Sequence, residues 1–195
     1  MEIKRDGTVS RLLRDVPLPR MFHAAQAFPD AHIEREGIEK AIFSEIARSG
    51  AGDRVKPGMR IAVTAGSRGI RNVPFIVPAM GSHGGATADG QKELLAGYGI
   101  TEQAMGCEIR SSMDTVLLGH SELGKPVYMD RNAYESDGVI LSCRLKPHNA
   151  FRGPIESGPC KMMTVGLGKQ KGAEQVHADG MDIIFQNIPP MAKVT

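Results

Sequence analysis

Two short apolar runs constrain the fold of this chain more than anything else in it: RIAVTAG over 60–66 and PFIVPAMGS over 74–82. Both are rich in β-branched and other apolar residues and neither alternates with polar ones, the pattern of strands buried on both faces of a parallel sheet. Each opens into a glycine-containing turn, Ser67–Arg68–Gly69 after the first and Gly81–Ser82–His83–Gly84–Gly85–Ala86–Thr87 after the second. The second turn leads into ADGQKELLAGYG, which reads as a helix with Thr87 as its N-cap and Gly97 or Gly99 as its stop. Strand, glycine-rich turn, helix is the order of an α/β ligand-binding unit. The expected fold is therefore α/β, with a Rossmann-like, mostly parallel sheet flanked by helices. One spacing resists it. Parallel neighbours need a crossover of a dozen or more residues, yet only GSRGIRNV separates the two runs. Either the runs are not parallel neighbours, or a crossover segment is absent.

Elsewhere the signals are local. Residues 1–32 read as an irregular lead-in punctuated by VPLPR and AFPD, and the spacing of Ile38, Ile42 and Ile46 predicts a helix over 34–48 with one apolar face. TVLLGHSELGKPVYMD (115–130) resembles a hairpin around SELG, and GVILSC (138–143) a buried strand leading directly into Arg144 and Lys146–Pro147–His148. MMTVGLG (162–168) is expected as a strand or a helix entry, and GAEQVHADGMDIIFQ as helix. No internal repeat or low-complexity tract is visible.

The 195 residues suffice to bury a real core as one domain, with 41% hydrophobic and 24% charged residues. The formal net charge of +2 has no basic block of the kind that tracks nucleic-acid phosphates, so a small-molecule partner is expected and a nucleic acid is not. Three cysteines, Cys107, Cys143 and Cys160, make no CxxC pair, which argues against a disulfide framework and a structural zinc site. With no apolar run near the length of about 18 residues that spans a bilayer and no signal core at the N-terminus, a cytoplasmic protein without a membrane partner is expected.

Ligands in open α/β sheets bind outside the carboxyl ends of the strands, so Ser67–Arg68, His83 and His148, each following an apolar run, are expected around one crevice. Arginine grips carboxylates with a two-pronged fork, and histidine exchanges protons near neutral pH. Two histidines on opposite faces of a bound carbon are what a racemase or epimerase needs. Each has a plainer meaning taken singly. His83 could be a hydrogen-bonded turn residue, Lys161 a solvated lysine, Cys160 a small hydrophobe. His23, His32 and His120 sit in polar, loop-like sequence and are given no role. The glycines of the Lys146–His177 stretch point to a backbone that approaches something closely.

Together, Ser67–Arg68, Gly81–Ser82–His83, Lys146–Pro147–His148, Gly158–Pro159–Cys160–Lys161, Gly166 and His177 resemble, in order, the motifs of the nickel-pincer-dependent lactate racemase family. The interval of 16 residues from Lys161 to His177 agrees with that family's spacing, and the resemblance covers about residues 60–180. It implies that the chain is the cofactor-carrying N-terminal domain of a racemase or epimerase of a 2-hydroxy acid. Lys161 would carry the nickel-pincer nucleotide (nickel pyridinium-3-thioamide-5-thiocarboxylate mononucleotide) through a covalent thioamide link, with Gly158 and Gly166 against it, and His177 would ligate the nickel. His83 and His148 would be the paired acid/bases, and Ser67 and Arg68 would bind substrate, Arg68 holding its carboxylate. The cofactor-synthesis enzymes are implied partners.

Three positions depart from better-known members: Gly84 follows His83 in place of arginine, Lys146 precedes the proline in place of an acidic residue, and the 13 residues from His148 to Lys161 exceed the usual interval. Lactate itself is accordingly a poor guess for the substrate. The family's second, closing domain is not in these 195 residues, and with the short link after residue 66 an incomplete single α/β domain over 1–195 is expected. Two other readings stay open. One is a non-catalytic nucleotide-binding α/β module using the 81–87 and 158–172 loops, Lys161 and Lys169 for phosphate. The other is a zinc hydrolase with His83, His148 and His177 as ligands.

Overall fold

The computed structural model describes residues 33–65 and 75–195. The lead-in over 1–32, and Ser67 and Arg68, lie outside the described residues. The chain divides into two compact units, Met1–Gly52 and Asp53–Thr195. In the first, α1 spans Arg35–Ser49, as the spacing predicts, and Gly50 ends it in the left-handed conformation at φ 64°.

The second unit is built on a sheet in which the described strands are all parallel. β1 (Ile61–Ala65) and β2 (Phe75–Pro78) lie side by side, with Ala62 opposite Phe75 and Ala65 opposite Pro78. They are thus parallel neighbours although only residues 66–74 join them, which answers the first half of the question posed by their spacing. Two further strands complete the order β3-β2-β1-β6: β3 (Glu108–Ile109) beside β2, and β6 (Gly138–Ile140) beside β1. Every residue of β1 and β2 is buried, so the unbroken apolar runs are explained by cover on both faces. Fully burying a side chain such as Val63, Ile76 or Val77 contributes about 1.5–3 kcal/mol.

Helices close one side. α2 (Ala88–Gly97) starts where the sequence says it should: the Thr87 hydroxyl accepts from the Gly90 amide at 3.1 Å. With the short α3 (Glu102–Met105) it forms the crossover from β2 to β3, burying Leu95, Ile100 and Met105 against Ile76 and Ile109. The expected hairpin is present as antiparallel β4 (Thr115–His120) and β5 (Pro126–Asp130), with a register shift between Leu117 and Gly119. His120, read from the sequence as a loop residue, ends β4. β5 runs straight into α4 (Arg131–Tyr134), whose first turn is capped by Asp130 Oδ1 accepting from the Ala133 amide at 3.0 Å.

Two expectations for the C-terminal part are corrected and a third is decided. β6 stops at Ile140, and Leu141–Cys143 continue as irregular chain. MMTVGLG is not a strand but the entry to a helix, in an unusual form. Pro159–Lys161 form a single turn, α5, and Met162–Gly166 continue it as a π-helical turn in which the Leu167 amide donates to the Met162 carbonyl at 2.8 Å. The helix expected over 172–186 is two: α6 (Lys169–His177), then a break at Gly180, φ 97°, then α7 (Ile184–Ala192). The break turns α7 back, so that Ile184, Ile188 and Met191 pack with Val127, Val176 and Phe151 in one cluster.

A fully buried lysine joins these pieces. Lys169 Nζ donates to the Pro78 carbonyl at the end of β2 and to Gln91 Oε1 on α2 at 3.0 Å, and lies 3.2 Å from Asp130 Oδ2 at the end of β5. Neither Lys169 nor Asp130 is exposed at all. Burial pushes the Asp130 carboxyl above its usual range and Lys169 below its own, and each charge opposes the shift of the other. Lys169 even holds φ 53°, a conformation costly for a residue with a side chain, which its three contacts offset. Lys169→Met, which strands the Asp130 carboxylate, is expected to cost about 3–5 kcal/mol of stability in denaturant unfolding. A loss below about 1 kcal/mol, the scale of an exposed pair, would show that the pairing is not what holds these elements together.

Candidate functional site

At the carboxyl ends of β2 and β6 the chain leaves a cavity of about 270 Å³. Ala79, Met80 and His83 reach it from β2, Ser142–Arg144 and Lys146 from β6, Ser157, Gly158 and Lys161 from the segment leading into the π turn, and Gly166 from the end of that turn. Of the residues expected together at the strand ends, His83 lines this cavity, as ligands of open α/β sheets would require. The two strand ends are tied through β1: the Ser142 amide donates to Thr64 Oγ1 at 2.9 Å, and the Ala79 amide donates to the Ala65 carbonyl at 2.9 Å.

The glycines of the two loops serve the fold before they serve any ligand. Gly81, at φ 60°, donates its amide to the Gly166 carbonyl at 3.2 Å, clasping the β2 loop to the π turn. A Cβ on Gly166 would lie 2.8 Å from the Ala79 carbonyl oxygen, and one on Gly168 would lie 2.1 Å from that of Thr164. What the backbone approaches at these positions is the protein's own main chain. Gly158 is different, since its added Cβ would meet only the Leu145 side chain, at 2.6 Å, and it lines the cavity.

The buried Gln91 holds the His83 loop from behind. Its Nε2 donates to the Gly81 carbonyl at 2.8 Å and to the His83 carbonyl at 3.3 Å, while its Oε1 accepts from Lys169. Lys169 is therefore not available to a phosphate, contrary to the nucleotide-module reading of the 158–172 loop, because its amine is enclosed and fully partnered inside the fold.

His148 lies on a loop closed by a bridge between Lys146 and Ser157, so the long interval to Lys161 folds back on itself. Nε2 of His148 and Nζ of Lys161 end 2.6 Å apart. Glu156 accepts the His148 amide at 2.5 Å, and Arg152 donates to the His148 carbonyl. The imidazole stacks on Phe151, centroids 4.1 Å apart and planes at 27°, and Phe151 itself is buried among Val176, Ile184 and Met191. The ring is thus anchored to the C-terminal core. Burial, then Lys161 and Lys146, lower the pKa of His148, with Glu156 opposing them. Burial and then Lys146 lower that of Lys161. Burial raises that of the Cys143 thiol.

Of the residues singled out in the sequence, His83, Gly158, Lys161 and Gly166 line one cavity, and His148 joins it through Lys161. His177 is on the last turn of α6, outside the cavity lining. Its Nδ1–H donates to the Ala173 carbonyl, so the lone pair of the neutral ring is on Nε2. Ser67 and Arg68 fall outside the described residues. No group of three or more His, Cys, Asp or Glu placed to hold a metal occurs among the described residues, so the three-histidine zinc alternative lacks a preformed ligand set there.

Sequence reasoning missed Glu156, Phe151 and Gln91, which carry no motif, and gave no role to Cys143, Arg144 and Lys146. The stretch Ser142–Lys146 had a usable signal, since it directly follows the last parallel strand. All the charged side chains lining the cavity are basic, with no carboxylate among them, which suits an anionic ligand.

Among curated proteins none is similar enough to the chain to match it. The family model for the lactate racemase N-terminal domain matches residues 41–183, a span that holds the parallel sheet, the cavity, Lys161 and His177. The chain belongs to the lactate racemase N-terminal domain family.

Proposed function

We propose that this protein is a lactate-racemase-like racemase or epimerase of a 2-hydroxy acid that works with a covalently held nickel-pincer nucleotide. The observation that carries the proposal is that His83 and Lys161 line one cavity and His148 contacts Lys161, the three coming from separate segments that each follow a strand end or a glycine turn.

The side chains present suit that group. Lys161 supplies an amine facing the cavity for attachment, and Gly158 leaves its floor open. His177 supplies one imidazole whose Nδ1–H is fixed by the Ala173 carbonyl, so that Nε2 is oriented as a metal ligand in the way such second partners orient histidines. A single protein ligand fits a metal whose other donors come with the group, and imidazole suits nickel. When bound, the group would supply hydride-transfer chemistry at the α-carbon of the substrate.

The rest falls to the chain. His83 lines the cavity from the β2 end, and His148, on the loop after β6, sits against Lys161 at its wall; each is assigned the hydroxyl proton of one enantiomer. Burial and neighbouring lysines lower the pKa of His148 and so favour its uncharged form. Lys146 and Arg144 bias the cavity toward an acid anion, and Arg68 is assigned the substrate carboxylate.

Intact mass measured after expression alongside the cofactor-synthesis enzymes tests the assignment most directly. A mass increase present in the wild type and lost in Lys161→Ala is expected, and an unmodified chain would count against it. His177→Ala should lose nickel while its circular dichroism stays that of the wild type, and full nickel retention would remove His177 as a ligand. Replacing His83 or His148 singly by alanine should cut turnover by about 10² or more with at least one enantiomer of the substrate. Rates unchanged with both enantiomers would take that histidine out of the mechanism. The substrate can be found by following loss of the α-carbon isotope label across a panel of 2-hydroxy acids.

A further inference from the structure

The hydrogen bonds around His148 determine which protons it shares with Lys161. The Ala150 amide donates to Nδ1 of His148 at 3.1 Å, so Nδ1 holds a lone pair and the proton of the neutral ring is on Nε2. Nζ of Lys161 lies 2.6 Å from that same Nε2. An ammonium would there set N–H against N–H, and an imidazolium would do so at Nδ1. The arrangement that satisfies both contacts has Nε2–H donating into the lone pair of an uncharged amine.

We propose that His148 is a positioning residue that holds Lys161 as a neutral, nucleophilic amine at the cavity wall, ready to attack an electrophilic acyl or thioacyl carbon. This rests on the assignment of Lys161 as the attachment point and adds how the amine is readied. The surroundings act in the same direction. Burial and Lys146 disfavour the charged amine, and the cavity also holds Arg144 and His83, with no carboxylate among its lining residues to stabilise an ammonium. Around His148 itself, burial, Lys161, Lys146 and His177 disfavour the imidazolium, and Glu156 alone acts the other way. The Phe151 stack and the Glu156 bond to the His148 amide keep the ring in place. Once Lys161 is acylated its nitrogen no longer accepts a hydrogen bond, and Nε2 of His148 is released for another partner in the cavity.

The test is competitive labelling of the full chain, expressed without the cofactor-synthesis enzymes, by trace acetic anhydride. Attack forms the C–N bond, breaks a C–O bond of the anhydride, releases acetate and passes the surplus N–H proton to solvent. Labelling of each lysine is read by mass spectrometry of its peptide from about pH 5 to 10, the range that brackets a lowered lysine pKa. The midpoint for Lys161 is expected about one pH unit or more below that of exposed lysines such as Lys56 and Lys193. In His148→Phe, which keeps the stacking partner and removes Nε2, the midpoint should rise and labelling at pH 7 fall about tenfold. A wild-type midpoint equal to that of the exposed lysines overturns the proposal, as does an unaltered midpoint in a folded His148→Phe. The wild-type profile decides by itself if that variant fails to fold. An ordinary midpoint together with cofactor mass on Lys161 would reject this priming alone, whereas a lowered midpoint with no mass addition would reject the attachment and leave the priming standing.

Discussion

The site depends on one buried amine that never touches it. Lys169 draws together the end of β2 through the Pro78 carbonyl, α2 through Gln91, and the end of β5 through Asp130. Each of these partners positions a further piece. Gln91 carries the backbone of Gly81 and His83, and Asp130 caps α4 while its amide donates to the Leu167 carbonyl just after the π turn. Enclosing two charges is expensive, and it is tolerated because the lysine is satisfied by two carbonyl-type acceptors as well as by the carboxylate. The outcome is a fixed distance between the loop that bears His83 and the turn that bears Lys161.

Close packing of main chain on main chain sets that distance. The π turn comes against the end of β2 at a separation where Gly166 admits no side chain, and it meets the start of α6 where Gly168 and Gly172 admit none. The glycine-rich stretch is thus first an internal joint. Its extra residue per turn, relative to an α-helix, shifts the side chains that follow: Lys161 lines the cavity just before the π turn, and Leu167 just after it goes into the core.

The loop from Lys146 to Gly158 shows how polar contacts place a side chain that no strand or helix holds. Glu156 and Arg152 fasten the backbone of His148 from opposite sides, and Phe151 gives its ring an apolar bed that continues into α7. That organisation turns a long sequence interval into a short spatial one. It also makes His148 and Lys161 a single unit, whose protons are shared and whose neighbouring cations weigh against charge on either.

Much of the framework was legible in the residues. Unbroken β-branched runs specify buried parallel strands, Thr87 specifies the start of α2, and SELG the hairpin, because each depends on chemistry within a few residues. The order of His83, His148, Lys161 and His177 along the chain was likewise readable, and with it the family. Tertiary structure alone decided that β1 and β2 are neighbours, that MMTVG winds as a π turn, that α6 breaks before α7, and that Lys169 points inward while Lys161 faces the cavity. Two lysines eight residues apart on one glycine-rich segment look alike in sequence, and only the carboxylate, amide and carbonyl brought from distant segments distinguish the enclosed amine from the one at the cavity.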